Sequence, residues 1–195
     1  MCDLEEMDHA GFFAHCNTIY CDGDQIPAEV AIASIRDSKG YRAFTINLSN
    51  LRFDQTNLVI NLYHSDTHTK IVLSQIARGS VPLFKANGHL YKMYNDMLVK
   101  RIEPREKIVY VYGPLQKELL KRYFRFLPVV DVLESPSFKT IPEPLECNVT
   151  FNGHRFFHDG ESSSVCSLNK ACGYAKLLKI KISKYDASST ESEEE

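Results

Sequence analysis

Apolar and polar positions along this chain follow two patterns, near-continuous apolar runs early and stretches with three-to-four spacing later. The run FFAHCNTIYCDGDQIPAEVAIASIRD is apolar almost throughout and alternates poorly, which predicts strands buried on both faces. Asp22-Gly23-Asp24 interrupts it with turn chemistry, so its two halves read as one hairpin. YRAFTINL (41–48) and NLVINLYH (57–64) have the β-branched and aromatic content of further strands, joined by the polar SNLRFDQT.

Helical spacing begins at TKIVLSQIAR, where Ile71, Val72, Gln75 and Ile76 predict a helix over Thr69 to Arg78, with Gly79 ending it. A short strand is expected at Val81–Phe84. The segment 89–101 is amphipathic, with Leu90, Met93, Tyr94, Met97 and Leu98 on one side. KIVYVYG (107–113) is the clearest strand, and PLQKELLKRYFRFL after it predicts a helix with Pro114 in its first turn and Leu115, Leu119, Leu120, Tyr123 and Phe124 as its apolar face. Region 128–153, with Pro136, Pro142 and Pro144, reads as loop wrapping back over the sheet. A last helix is expected from Ser164 to about Lys184, followed by DASSTESEEE as a solvated tail. Strands first, then helices alternating with strands, predict an α/β structure with helices on a central mixed sheet, either doubly wound or ribonuclease-H-like.

Composition narrows the class. With 195 residues and 44% apolar content, one domain with a substantial core is expected. The formal charge of −2 hides an acidic tail, since Glu191, Glu193, Glu194 and Glu195 crowd the end and the remainder is near +2. No stretch approaches the length of an apolar membrane span, and the start MCDLEEMDHAG is acidic where a secretory signal is basic, so an intracellular protein without membrane association is expected. In that compartment Cys2, Cys16, Cys21, Cys147, Cys166 and Cys172 are expected to be reduced thiols or metal ligands.

Candidate chemistry concentrates late in the chain. HRFFHDGESSSVC brings His154, His158 and Cys166 together ahead of a Lys-rich helix, and imidazole and thiolate are preferred zinc donors. The alternative is surface imidazoles beside a buried thiol. A fourth ligand has to come from afar. Glu29 stands inside the apolar run PAEVAIA, where a carboxylate either points to water from an edge strand or costs several kcal/mol unless paired or bound to a cation. His64, Asp66 and His68 in YHSDTHT read as a polar turn capping the following helix. No GxxxxGK[ST] or GxGxxG loop provides a phosphate cradle, no GxSxG elbow presents a nucleophile, and no set of carboxylates suggests a two-metal site. Basic residues with interleaved aromatics, notably Lys117, Lys121, Arg122 and Arg125 and then Lys176 and Lys179, suit single-stranded nucleic acid. Such runs also occur as plain solvated faces.

Three features of these residues resemble the Maelstrom domain, a family of animal germline proteins of the Piwi-interacting-RNA pathway. FFAHCNTIYCDGDQIPAEVAIASI is similar to the family's opening strand pair with its PAE(I/V) step, the element order fits its ribonuclease-H-like sheet, and HRFFHDGESSSVCSL is similar to its closing ligand segment. The resemblance spans residues 10–185, leaving 1–9 as a flexible N-terminus and 186–195 as a disordered acidic tail. It implies an α/β, ribonuclease-H-like mixed sheet flanked by helices, with one structural Zn2+ held by a Glu-His-His-Cys set, here Glu29, His154, His158 and Cys166. Two-metal catalysis is then not expected.

The resemblance further implies single-stranded RNA and Piwi-pathway proteins as partners, transposon silencing as the role, and perinuclear germ granules and the nucleus as the location. Some family members also cleave RNA in a way their zinc ligands do not explain. No HMG box precedes the domain in this sequence, so DNA binding is not expected. Three functions are weighed: a zinc-stabilised RNA-binding module, a metal-independent single-strand-specific endoribonuclease using Lys and Arg with His64 or His68, and a protein-interaction scaffold without RNA binding.

Overall fold

The structure, a computed structural model, describes residues 10–99, 107–134, 143–145, 147, 149, 157–158 and 165–191. Strand β1 (Ala10–Cys21) and strand β2 (Asp24–Ser34) form the expected hairpin. Its turn holds Asp22 at φ 53° and Gly23 at φ 81°. Two successive positive φ angles match the right-handed twist of the flanking strands, and Asp-Gly adopts them at low cost. The ladder slips between Asn17, which faces Glu29, and Thr18, which faces Pro27. That bulge leaves Ala28 as the extra residue and accommodates a proline that donates no hydrogen bond.

Strand β3 (Tyr41–Asn47) pairs antiparallel to β2 over Glu29–Ala33, which makes β2 an inner strand. Glu29 therefore does not sit on an edge. Strand β4 (Val81–Pro82) extends β3 in parallel, while β5 (Ile108–Val111) and β6 (Val129–Asp131) add in parallel beyond β1. The six-stranded mixed sheet has the order β4-β3-β2-β1-β5-β6.

Both faces of this sheet are covered, which explains the poor alternation of the early strands. Phe12, Ala14, Val30, Ile32, Phe44, Ile46 and Val109 form one core with helix α2 (Leu83–Val99) and helix α3 (Pro114–Tyr123). Phe13, Ala31, Ala33 and Tyr110 form the other with helix α4 (Ser167–Glu191). Because side chains alternate along a strand, Glu29 points to the α4 side with Ala31 and Ala33. In α2 the buried Leu90, Tyr94 and Met97 are those its spacing predicts. In α3 Pro114 opens the first turn and Leu119 and Leu120 are buried, but Leu115 is 54% exposed.

The structure corrects several local expectations. Residues 57–64 belong to helix α1 (Gln55–His64), not to a strand. Asp54 caps it by accepting from the Asn57 N–H at 2.6 Å, and Asn61 replaces a neighbouring strand for Tyr20, accepting its N–H at 2.7 Å and donating to its carbonyl at 2.6 Å. Those two polar contacts outweigh the strand preference of Val59 and Ile60, both of which stay exposed. The helix expected over Thr69 to Arg78 is absent. Lys70 takes φ 52°, Ile71 bridges to His158, and only Leu73–Arg78 coil, as a 3₁₀ turn.

Gly79 does follow the last residue of that turn, and a Cβ there would lie 2.2 Å from the Ile46 carbonyl carbon. Its role is close approach to β3. Within the expected loop 128–153, Val129–Asp131 instead form β6. Helix α4 starts at Ser167 and continues to Glu191, past the end expected near Lys184. Among the described residues no helix is long and apolar enough to cross a membrane. Cys16, Cys21, Cys147, Cys166 and Cys172 are buried, with no disulfide among the described residues, and Cys2 lies outside them.

Candidate metal centre

Three segments distant in sequence converge beneath the start of α4. Strand alternation points Glu29 to the α4 side, the Ile71–His158 bridge carries the imidazole in, and Cys166 directly precedes the helix. Oε1 of Glu29 stands 3.1 Å from Nε2 of His158 and 3.4 Å from Sγ of Cys166. All three residues are buried, Glu29 completely. One donor atom from each lies within 4.8 Å of the others, so the group can hold a metal ion. Among the described residues it is the one such cluster of three, and no carboxylate set for a two-metal site is found beside it.

The surrounding bonds orient the ligands. Nδ1 of His158 lies 2.9 Å from the carbonyl of Thr69. A carbonyl can only accept, so Nδ1 carries the proton and Nε2 is left to face Glu29, the arrangement usual for a metal-binding histidine. Oε2 of Glu29 accepts from the Ser167 N–H at 2.8 Å and from Nδ2 of Asn17 at 3.1 Å. Asn17 also donates to the Val165 carbonyl at 2.8 Å, tying the strand bulge to the approach of α4. The Leu168 N–H points at Sγ of Cys166 from 3.3 Å, as backbone donors do toward a ligating sulfur.

Electrostatically the three groups are strongly perturbed. Burial pushes the Cys166 thiol far up, and the Glu29 charge pushes it further. Burial works against a charged His158, yet its hydrogen bond and attraction to Glu29, with the Thr69 carbonyl, leave its pKa above the ordinary value. These directions describe the side chains by themselves, whereas a thiol that coordinates a divalent cation is deprotonated outright. An anionic oxygen, a neutral imidazole and a sulfur in a dry site fit a borderline-soft transition metal better than magnesium or calcium.

Of the four residues singled out from sequence, Glu29, His158 and Cys166 meet, and His154 lies outside the described residues. YHSDTHT proves to be the end of α1 and a π turn over Ser65–Thr69. Asp66 and Thr67 do not cap the next helix: Thr67 donates back to the Tyr63 carbonyl and Lys70 pairs with Asp66. The segment's contribution to the site is the Thr69 carbonyl. Asn17 and Ser167, which hold Glu29 in place, escaped the sequence reading, although Asn17 is as conspicuous in its apolar run as Glu29 is in its own.

The basic candidates divide between the two faces of the sheet, α3 on one and α4 on the other. Lys117 pairs with Glu134 at 2.5 Å, and Arg122 grips Asp24 with two bonds of 2.9 and 2.8 Å. Lys179 donates to the Arg36 carbonyl at 3.0 Å. Lys121, Arg125 and Lys176 are exposed, without an ion-pair partner among the described residues. No protein-family model matches this chain, and no curated protein matches its sequence.

Proposed function

We propose that this chain is a zinc-stabilised, single-stranded RNA-binding module of the Maelstrom type, acting with Piwi-pathway proteins in germline transposon silencing. The observation that carries the reading is the meeting of Glu29, His158 and Cys166 around one point. Nothing local joins them, yet they are three of the four ligands the resemblance implies. The sheet supports it as well: an antiparallel three-strand meander whose first strand also pairs in parallel with later strands suits a ribonuclease-H-like arrangement.

Zinc suits a thiolate and imidazole set, with His154 as the fourth ligand by resemblance, and burial of all three described ligands fits a structural ion with no position open to substrate. Bound there, zinc would supply folding energy by tying the first hairpin to α4 across a long loop. RNA binding rests on the exposed Lys121, Arg125 and Lys176.

Metal analysis of purified protein tests the first half, with about one zinc per chain expected. Cys166→Ser should lower metal content and melting temperature together. A salt titration of RNA affinity tests the second half. Several phosphate contacts give a steep loss with added salt, and a scaffold shows no affinity to lose. Metal-free protein with wild-type stability would overturn the zinc reading.

A further inference from the structure

Beside the metal centre, on the same α4 side of the sheet, two cavities of about 560 and 150 Å³ share His15, Leu115, Gln116 and Lys170 in their walls. Together they form a two-lobed cleft. It opens where β5 stops at Val111 while its parallel neighbour β1 runs on. From there β1 leads to β2 on one side and β5 leads through α3 to β6 on the other. Open sheets bind ligands at such a divergence, outside the carboxyl ends of parallel strands. Gln116 seals the strand edge that β5 leaves unpaired: its side-chain amide accepts from the Cys16 N–H and donates to the Cys16 carbonyl, each at 2.9 Å. Its amide is held by the strand edge and forms part of the wall.

Two side chains in that wall lack partners. His15 is 8% exposed, and its Nδ1 lies 3.4 Å from Oγ of Ser167. That hydroxyl donates to the Glu29 carbonyl and accepts from the Asn17 N–H, so Nδ1 of His15 is the donor in its own contact. Nε2 then holds a bare lone pair, with no hydrogen-bond partner among the described residues. Burial, and secondarily Lys170, lowers the His15 pKa to about 3, so the ring is neutral near pH 7. The Lys170 side chain, half-buried in the same wall, makes no ion pair or hydrogen bond among the described residues, and burial lowers its pKa against the pull of the Glu29 charge. A half-buried ammonium with no anion in contact, next to a lone acceptor, asks for an anion and a hydroxyl together.

The larger lobe adds aromatic surface. Tyr112 stacks on Tyr174 with centroids 5.2 Å apart and planes at 13°, and Tyr112 remains 36% exposed. Its carboxylate, Glu143, is exposed at the rim and lines that lobe alone.

We propose that this cleft binds one ribonucleotide unit of a single-stranded RNA, with Lys170 pairing the phosphate, Nε2 of His15 accepting from the ribose 2′-hydroxyl, and the Tyr112–Tyr174 stack facing the base. The proposal rests on the RNA-binding reading and gives that reading a location none of the exposed basic residues provides. A 2′-hydroxyl next to a phosphodiester presents the required donor and anion on one unit, and an aromatic face accepts any base.

The test measures binding of a labelled single-stranded RNA and of DNA of the same sequence to the full chain as purified. Lys170→Met keeps the buried stem and should weaken both ligands about tenfold, the loss of one charged hydrogen bond, with a salt slope smaller by about one. His15→Asn retains an N–H toward Ser167 and should remove the preference for RNA over DNA while leaving DNA affinity unchanged. Leu115→Glu, at an exposed position lining both lobes, should repel RNA without disturbing the fold, so a poorly folding His15 variant leaves the proposal open to refutation. RNA affinity unmoved by Lys170→Met and Leu115→Glu would overturn the cleft and leave the RNA reading standing. A wild-type chain that binds no RNA would overturn both.

Discussion

Replacing Glu29 by Gln separates a metal ligand from a structural hydrogen-bond acceptor. The carboxylate is fully buried and engaged on both oxygens, Oε2 by Ser167 and Asn17, Oε1 by His158 and Cys166. A glutamine of the same shape can keep its carbonyl toward Ser167 and Asn17 and turn its NH2 toward Nε2 of His158, whose proton is already committed to the Thr69 side. In chelator, therefore, E29Q should melt close to the wild type, with any loss confined to about 1–2 kcal/mol from weaker, uncharged bonds.

With metal present the two proteins should part. A ligand that binds only the folded state at a thousand times its dissociation constant stabilises by about 4 kcal/mol. For a chain of this size each kcal/mol moves the melting temperature by about 2–4 °C, so wild type should gain about 8–16 °C on zinc addition. E29Q, having lost the anionic oxygen, should gain little of that and copurify with less metal. Differential scanning calorimetry of both proteins, with zinc and with chelator, measures all four values. Equal zinc-induced shifts in the two proteins would refute a ligand role for Glu29. A large loss in E29Q that persists in chelator would instead mark Glu29 as the hub of a hydrogen-bond network.

Three further predictions address the frame around the site. Gly79→Ala sets a Cβ 2.2 Å from the Ile46 carbonyl carbon and should destabilise by about 3 kcal/mol or more in urea unfolding, since backbone, not a flexible side chain, has to move. Asn61→Ala strips Tyr20 of both its backbone partners and should cost about 2 kcal/mol, with proteolysis of α1 rising in parallel. His15 also predicts a pH dependence. Its folded pKa of about 3 lies below its ordinary 6.5, so between those values the unfolded chain takes up a proton the folded chain refuses. Stability from this group is complete above pH 6.5 and falls with pH, by about 2 kcal/mol at pH 5. His15→Asn should flatten that limb of the urea-midpoint profile relative to wild type, and an unchanged slope would contradict a neutral buried imidazole.

Much of the fold was legible from local stereochemistry. Asp22-Gly23 could only be a tight turn between two apolar runs, Pro114 marked a helix start, and the spacing of Leu90, Tyr94 and Met97 announced a buried helix face. Those signals are local because they depend on φ preferences and side-chain period alone. Where long-range contacts outweighed propensity, reading failed. Residues 57–64 have strand composition, yet Asn61 bonding to Tyr20 makes them a helix against the hairpin's end, and Ile71 abandons a helical pattern to bridge His158.

The candidate site divides along the same line. The chain by itself determined that Glu29 was anomalous in an apolar strand and that His158 and Cys166 had the chemistry of ligands. It could not show that Glu29 faces α4 from an inner strand, or that Ser167 receives its second oxygen. His15 stands in the same kind of run and went unnoticed, because its lone pair matters only once Lys170 is brought beside it by α4. Residue type and spacing are properties of neighbours along the chain. The distances that let one carboxylate meet a thiol more than a hundred residues away come from sheet register and helix placement, which arise only when the whole core packs.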